Sequence, residues 1–326
     1  MAKVIIGIHG LGNKPVANLM EYWWWKAISE GLKNHTNNRY HKPVFKLVYW
    51  SDVIYDHPKD ANCTNPKDPN YIDEPYEPET FNLKIKDFSF RKRIINYIVG
   101  ELNKIFLNDD YSLNFTAIND LIIKNYFKDL NAYYSDQING KSRPVKETLR
   151  ERLKSVLIEH KDDEILLIAH SMGSIIAFDV LSLYEDEVQI DTFMTIGSPL
   201  GLPVVVSKIA NELNLKIHKT GKMSAPASIK NYWYNFSDLE DRVALNYNLS
   251  DDFSENTNGI KVIDFEVTNT YFTNGHHNPH KSYGYLRTPE FAEKIVEFLN
   301  KKRLPLLQSI WQSIRKNFKK IKIHTQ

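Results

Sequence analysis

The stretch Ile168-Ala169-His170-Ser171-Met172-Gly173-Ser174 carries the clearest chemical signal in the chain. It follows the apolar run Glu164-Ile165-Leu166-Leu167 and precedes the helix-like Ile175-Ile176-Ala177-Phe178-Asp179-Val180-Leu181. The pattern predicts a strand, a tight turn with serine at its apex, and a helix. A serine so placed points away from the sheet and lies near a helix N-terminus, where free backbone N–H groups favour negative charge. That is the setting of a nucleophile elbow, G-x-S-x-G, with Ala169 at the first glycine. Alanine is the mildest departure, because the constraint there is steric crowding. A serine that merely N-caps a buried helix is the competing reading.

Three other segments supply groups that a nucleophilic serine would need. His9-Gly10-Leu11-Gly12-Asn13 directly follows the apolar run Val4-Ile5-Ile6-Gly7-Ile8. Glycine lets a chain turn sharply and present a backbone N–H to a developing oxyanion. Leu11 N–H and Met172 N–H are the expected donors. A phosphate-binding loop is the rival, but Gly7, Gly10 and Gly12 do not form G-x-G-x-x-G and no Walker lysine follows. Ser237-Asp238-Leu239-Glu240-Asp241-Arg242-Val243-Ala244 holds two aspartates that either cap a turn or orient a base. Thr273 to Leu286 holds three of the eleven histidines, His276, His277 and His280. A neutral imidazole from that group could take the serine proton and return it to a leaving group. The same histidines could bind a metal, yet they lack the i,i+4 helical register and no H-E-x-x-H occurs. No metal and no cofactor are expected.

The elements that must position these groups are legible in outline. Near-continuous apolar or β-branched runs at 4–8, 44–50, 165–169, 192–196, 232–236 and 262–267 read as strands buried on both faces. Helical patterns lie between them at about 16–33, 144–160, 172–184, 203–213 and 289–300. Alternation of the two predicts an α/β fold, a mostly parallel sheet of about six strands with helices on both faces. Between Trp50 and Ile165, residues 56–80 are rich in Pro, Asp, Asn and Tyr and read as an irregular loop. Residues 85–107 and 114–134 carry apolar residues at helical spacing, so a helical, lid-like insertion is expected at about 55–140. Trp23-Trp24-Trp25 cannot all face one side of the first helix; one or two should pack on the sheet.

Composition limits the classes. At 326 residues, 42% hydrophobic and 25% charged, the chain is an ordinary globular protein, and its net charge of +2 argues against a nucleic-acid binder. The single cysteine, Cys63, permits no intrachain disulfide and favours a reducing compartment. The N-terminal apolar run is short and spent on a strand, and no run is long enough to span a membrane. A cytoplasmic protein is expected. From Lys301 to Gln326 there are eight Lys or Arg and no acidic residue. Leu307, Ile310, Trp311, Ile314, Phe318 and Ile321 fall on one helical face, so segment 301–326 could lie on an anionic membrane, placing the protein at the inner membrane surface, or dock on the core.

Taken together, His9–Asn13, Val48–Asp52, Ile168–Ser174, Gly197–Pro199 and Trp233–Ala244 resemble the α/β-hydrolase superfamily, specifically an uncharacterised bacterial serine-hydrolase group. The resemblance spans residues 1 to about 300 and is weakest in the insertion. In that superfamily the chain order is Ser, Asp or Glu, then His. It implies Ser171 as nucleophile, Asp241 as the acid with Asp238 as runner-up, and His280 as the base with His276 and His277 as alternates. The resemblance does not single out a substrate, because esterases, lipases, thioesterases and amidases share the scaffold; a carboxylic ester, small or lipidic, is the leading expectation. An acyltransferase and a catalytically idle scaffold that binds a lipid or a partner share the same architecture.

Overall fold

A computed structural model describes residues 2–36, 43–79, 133–134, 145–212, 222–241, 243 and 247–301. Six parallel strands form the central sheet: β1 (Lys3–Ile8), β2 (Val44–Val48), β3 (Glu164–His170), β4 (Ile190–Ile196), β6 (Ile229–Ser237) and β8 (Val262–Glu266), in the order β2-β1-β3-β4-β6-β8. The expected mostly parallel sheet is therefore fully parallel. Two short pairs lie outside it: β5 (Met223–Ser224) with β7 (Phe253–Ser254), and the hairpin of β9 (Phe272–Thr273) with β10 (His276–His277).

Side-chain alternation along each strand divides the core into two layers. Val4, Ile6 and Ile8 of β1 and Ile165, Leu167 and Ala169 of β3 face one cluster. Helices α3 (Val145–Glu159), α4 (Met172–Leu183) and α5 (Pro203–Glu212) contribute to the same cluster. Ile5, Leu166 and Ile168 face the other, packed by α1 (Ala17–His35) and by α6 (Ser282–Tyr285) and α7 (Pro289–Asn300). Trp24 is the aromatic that packs on the sheet, fully buried beside Gly7, where an added Cβ would meet its ring at 3.0 Å. Trp23 and Trp25 are partly buried on the same layer.

Strand β2 stops at Val48, two residues short of the expected end. The cause is Trp50, whose backbone N–H donates to His9 Nε2 (3.1 Å) and whose indole N–H donates to His9 O (2.9 Å). These bonds replace sheet pairing and turn the chain into α2 (Ser51–Ile54). Residues 56–79 are irregular, tied down by isolated bridges from Lys59 to Pro15 and from Asp60 to Tyr71. The expected insertion helices lie outside the described residues except at Tyr133 and Tyr134, which are helical. Tyr133 is fully buried and donates to Asp179 Oδ2 (2.5 Å), which also pairs with the Arg150 guanidinium. This buried group fastens the end of the insertion to α3 and α4. Segment 302–326 also lies outside the described residues. No helix among the described residues is long and apolar enough to cross a membrane.

Candidate active site

The ends of β1, β3, β4 and β6 meet at one edge of the sheet. The register pairs Ile8 with Ala169 and His170 with Ile196, so the loop after β1 lies against the turn after β3. Ser171 occupies that turn with φ 53° and ψ −128°. A non-glycine residue in the positive-φ region costs about 1–3 kcal/mol and persists only where its surroundings hold it. Here Ser171 N–H donates to Ile196 O (3.1 Å), while Ser171 O accepts Ser174 N–H (2.8 Å) and the Ser174 hydroxyl (2.6 Å). Ser198, of the Gly197-Ser198-Pro199 motif, meets the Ser174 hydroxyl at 2.8 Å.

Two close approaches explain the flanking glycines. A Cβ at Gly10 would lie 2.7 Å from Ser171 Cβ and 2.8 Å from His170 Nδ1. A Cβ at Gly173 would strike the carbonyl oxygens of His9 (2.7 Å) and Ile8 (2.8 Å). The loop after β1 and the first turn of α4 can nest only because both positions lack a side chain.

His280 Nε2 lies 3.0 Å from Ser171 Oγ, and its Nδ1 lies 2.9 and 2.8 Å from the two oxygens of Asp241. An ionised carboxylate accepts only, so the proton sits on Nδ1 and Nε2 accepts from the serine hydroxyl. Asp241 is buried and has two more donors, Val243 N–H (2.8 Å) and the Tyr285 hydroxyl (2.7 Å). The Val243 bond closes an Asx turn. Burial and the charges of Asp241 and Asp238 hold the Tyr285 phenol well above its ordinary range, so it stays a donor.

Asp238 serves elsewhere. Its oxygens accept Glu240 N–H (2.7 Å) and Asn269 N–H (2.5 Å), and they do not bond His280. Burial, with the charges of Asp241 and Glu240, outweighs those hydrogen bonds and pushes its carboxyl up to about 6. His276 and His277 stand exposed on β10. His277 is engaged with Asn269 O (2.6 Å) and Glu240 (3.4 Å). Among the described residues no three His, Cys, Asp or Glu side chains are grouped to hold a metal ion.

Further contacts support this arrangement, among them roles for His170, Trp50 and Lys14 that the sequence did not point to. His170 Nε2–H donates to His280 O (2.8 Å), and its ring packs on that of His280 at 4.9 Å. Burial, followed by the proximity of His280, holds the His170 imidazole well below its usual range, hence neutral. His9, lowered to about 3 by burial and by the Lys14 charge, is likewise neutral. It stacks on Trp50 (4.7 Å) and donates from Nδ1 to Gly10 O (2.8 Å), which steadies the loop carrying Leu11. Lys14 donates to Leu11 O on the same loop. Met172 is the first residue of α4, and an amide there has no intrahelical acceptor.

A cleft of about 490 Å³ adjoins the histidine, lined by His9–Pro15, Lys59, Ile72–Glu74, His170, Asn278, and His280–Tyr283 among others. Ser171 itself is 0% exposed. The residue is enclosed by Gly10, His170 and His280 and does not itself line the cleft.

Residues 96–278 match the PGAP1-like alpha/beta domain family. The chain belongs to that family. The match covers more than half of the chain and takes in Ile168–Ser174, Gly197–Pro199 and Trp233–Ala244, while His9–Asn13, Val48–Asp52 and His280 lie outside it. A second similarity is short: 44% identity over 50 residues to the probable phospholipase YOR022C, mitochondrial, of Saccharomyces cerevisiae. That alignment covers 14% of this PGAP1-like chain and 7% of the yeast protein.

Proposed function

We propose that this protein is a serine hydrolase that cleaves a carboxylic ester through an acyl-enzyme on Ser171. The observation that carries the reading is the continuous hydrogen-bond chain Ser171–His280–Asp241, at 3.0 and then 2.8 Å. His280 Nε2 takes the hydroxyl proton as Ser171 Oγ bonds to the acyl carbon, and Asp241 stabilises the imidazolium. The N–H groups of Leu11 and Met172 receive the oxyanion. Collapse expels the alcohol with the proton from His280. Water then enters by the same route and releases the acid. Because Ser171 is enclosed, the reaction requires a local opening of its surroundings, the kind of step that loops and lids supply. The chemistry uses only side chains and backbone.

A lipid-derived ester is the substrate class we favour, on the similarity to a probable phospholipase and on the basic, amphipathic segment 301–326. We place the protein in the cytoplasm, with that segment able to meet an anionic inner membrane surface. The test is labelling by a fluorophosphonate, comparing wild type with Ser171→Ala, followed by a panel of esters. Labelling of wild type alone is expected. Equal labelling of Ser171→Ala, or none of either, refutes the reading, and the second result returns the protein to the idle-scaffold class. Transfer to an added alcohol in preference to water would make it an acyltransferase.

A further inference from the structure

The base in this site is not borne by the sheet. His280 sits in the chain between β10 and α6, so something other than strand pairing must fix its position. Three contacts do so directly: Asp241 on its ring, the His170 ring N–H on its carbonyl, and Asn278 Oδ1 on its backbone N–H (3.0 Å). Asn278 is held in turn. Its amide donates to Glu74 Oε1 (2.5 Å), and Glu74 Oε2 accepts from Lys281 Nζ (2.9 Å). One carboxylate thus grips the residues two before and one after the histidine. The charge of Lys281, with the hydrogen bonds from Lys281 and Asn278, overcomes burial and holds Glu74 below its usual range, so it is an anion at neutral pH.

The segment carrying Glu74 is itself anchored on both sides. Asn274 donates to Asp73 O (3.0 Å), and the buried Tyr271 donates to Pro75 O (2.5 Å). Tyr76 donates to Glu30 on α1 (2.8 Å), which links the segment to the helical layer. Glu74 therefore sits on a braced strap, not on a free loop tip.

We infer that Glu74 is a positioning residue for His280, acting through Asn278 and Lys281 to hold the imidazole in line with Ser171. The inference rests on the serine-hydrolase reading for its chemical consequence, but the placement itself can be read without chemistry. Glu74 also lines the cleft, so a role in binding must be separated from one in positioning.

The experiment measures fluorophosphonate inactivation of the full chain and resolves KI from kinact. In Glu74→Ala, kinact should fall about tenfold to a hundredfold with KI nearly unchanged, since misplacing a reacting group by about 1 Å costs up to that much. Glu74→Gln keeps an acceptor for the Asn278 amide and should recover most of the rate. Asn278→Ala breaks the same relay from its other end and should resemble Glu74→Ala if the latter fails to fold. The low-field proton resonance of the His280–Asp241 hydrogen bond, assigned by its loss in His280→Gln, should weaken in Glu74→Ala and return in Glu74→Gln. Unchanged kinact in Glu74→Ala, or a rise in KI alone, overturns the inference while leaving the hydrolase reading intact. If wild type does not label, the hydrolase reading falls, and the proton resonance alone decides whether Glu74 positions His280.

Discussion

Replacing Gly10 with alanine places one methyl group where the loop after β1 meets the elbow. The new Cβ would stand 2.7 Å from Ser171 Cβ and 2.8 Å from His170 Nδ1. Ordinary contact begins near 3.4 Å, so the loop or its neighbours must part by about 0.7 Å. Neither neighbour yields easily. Ser171 is pinned at both its N–H and its carbonyl, and the His170 ring is tied to His280 O. The displacement therefore falls on the loop, moving the Leu11 N–H that we propose as an oxyanion donor. A misalignment approaching 1 Å costs up to about a hundredfold in rate, or about 2.7 kcal/mol of transition-state stabilisation. Overpacking should also lower folding stability by about 1–3 kcal/mol. The assay is the second-order rate of fluorophosphonate labelling, with urea unfolding in parallel. A Gly10→Ala protein that labels within about twofold of wild type would show that this loop plays no part in the reaction.

Asp179→Ala strands the Arg150 guanidinium in a buried site and should cost about 3–5 kcal/mol, towards the low end because Glu212 still accepts from Arg150 (3.1 Å); a urea unfolding shift below about 1 kcal/mol would contradict this. Asp238 has a folded pKa raised to about 6 from 3.8, so between those values the folded state binds more protons than the unfolded chain. Its contribution to stability must then fall as pH rises through that window, by on the order of 3 kcal/mol at most. That falling component should be present in wild-type denaturation profiles and missing from Asp238→Asn; the same slope in both would refute it. Deleting 302–326, while keeping Lys301 in its pairs with Asp191 and Lys3, should weaken partition onto anionic vesicles by about tenfold or more. Unchanged partition would remove the membrane role.

The sheet was readable because its strands are buried on both faces, which leaves continuous apolar runs such as Ile165–Ala169. The elbow was readable because strand, turn and helix are adjacent in sequence. Choosing among polar residues was harder. Asp238 and Asp241 lie three residues apart, and what separates them is the Tyr285 hydroxyl, which accepts from Asp238 N–H and donates to Asp241. His277 and His280 are equally close in sequence, but the β9–β10 hairpin turns one towards Asn269 and leaves the other facing Ser171. The enclosure of Ser171 and the part played by Glu74, 206 positions from His280, arise from tertiary packing that no local pattern records.

The two layers of the core have a bearing on how the protein tolerates change. Ser171 opens a helix of one layer, and His280 adjoins the aromatic residues of the other. The 3.0 Å alignment of hydroxyl and imidazole at the strand ends thus depends on the packing of both layers. Ile176→Val in one layer or Phe291→Leu in the other should cost little in folding yet shift that alignment. Turnover should register repacking on both flanks well before a melting curve does, which makes the rate the finer probe of this interior.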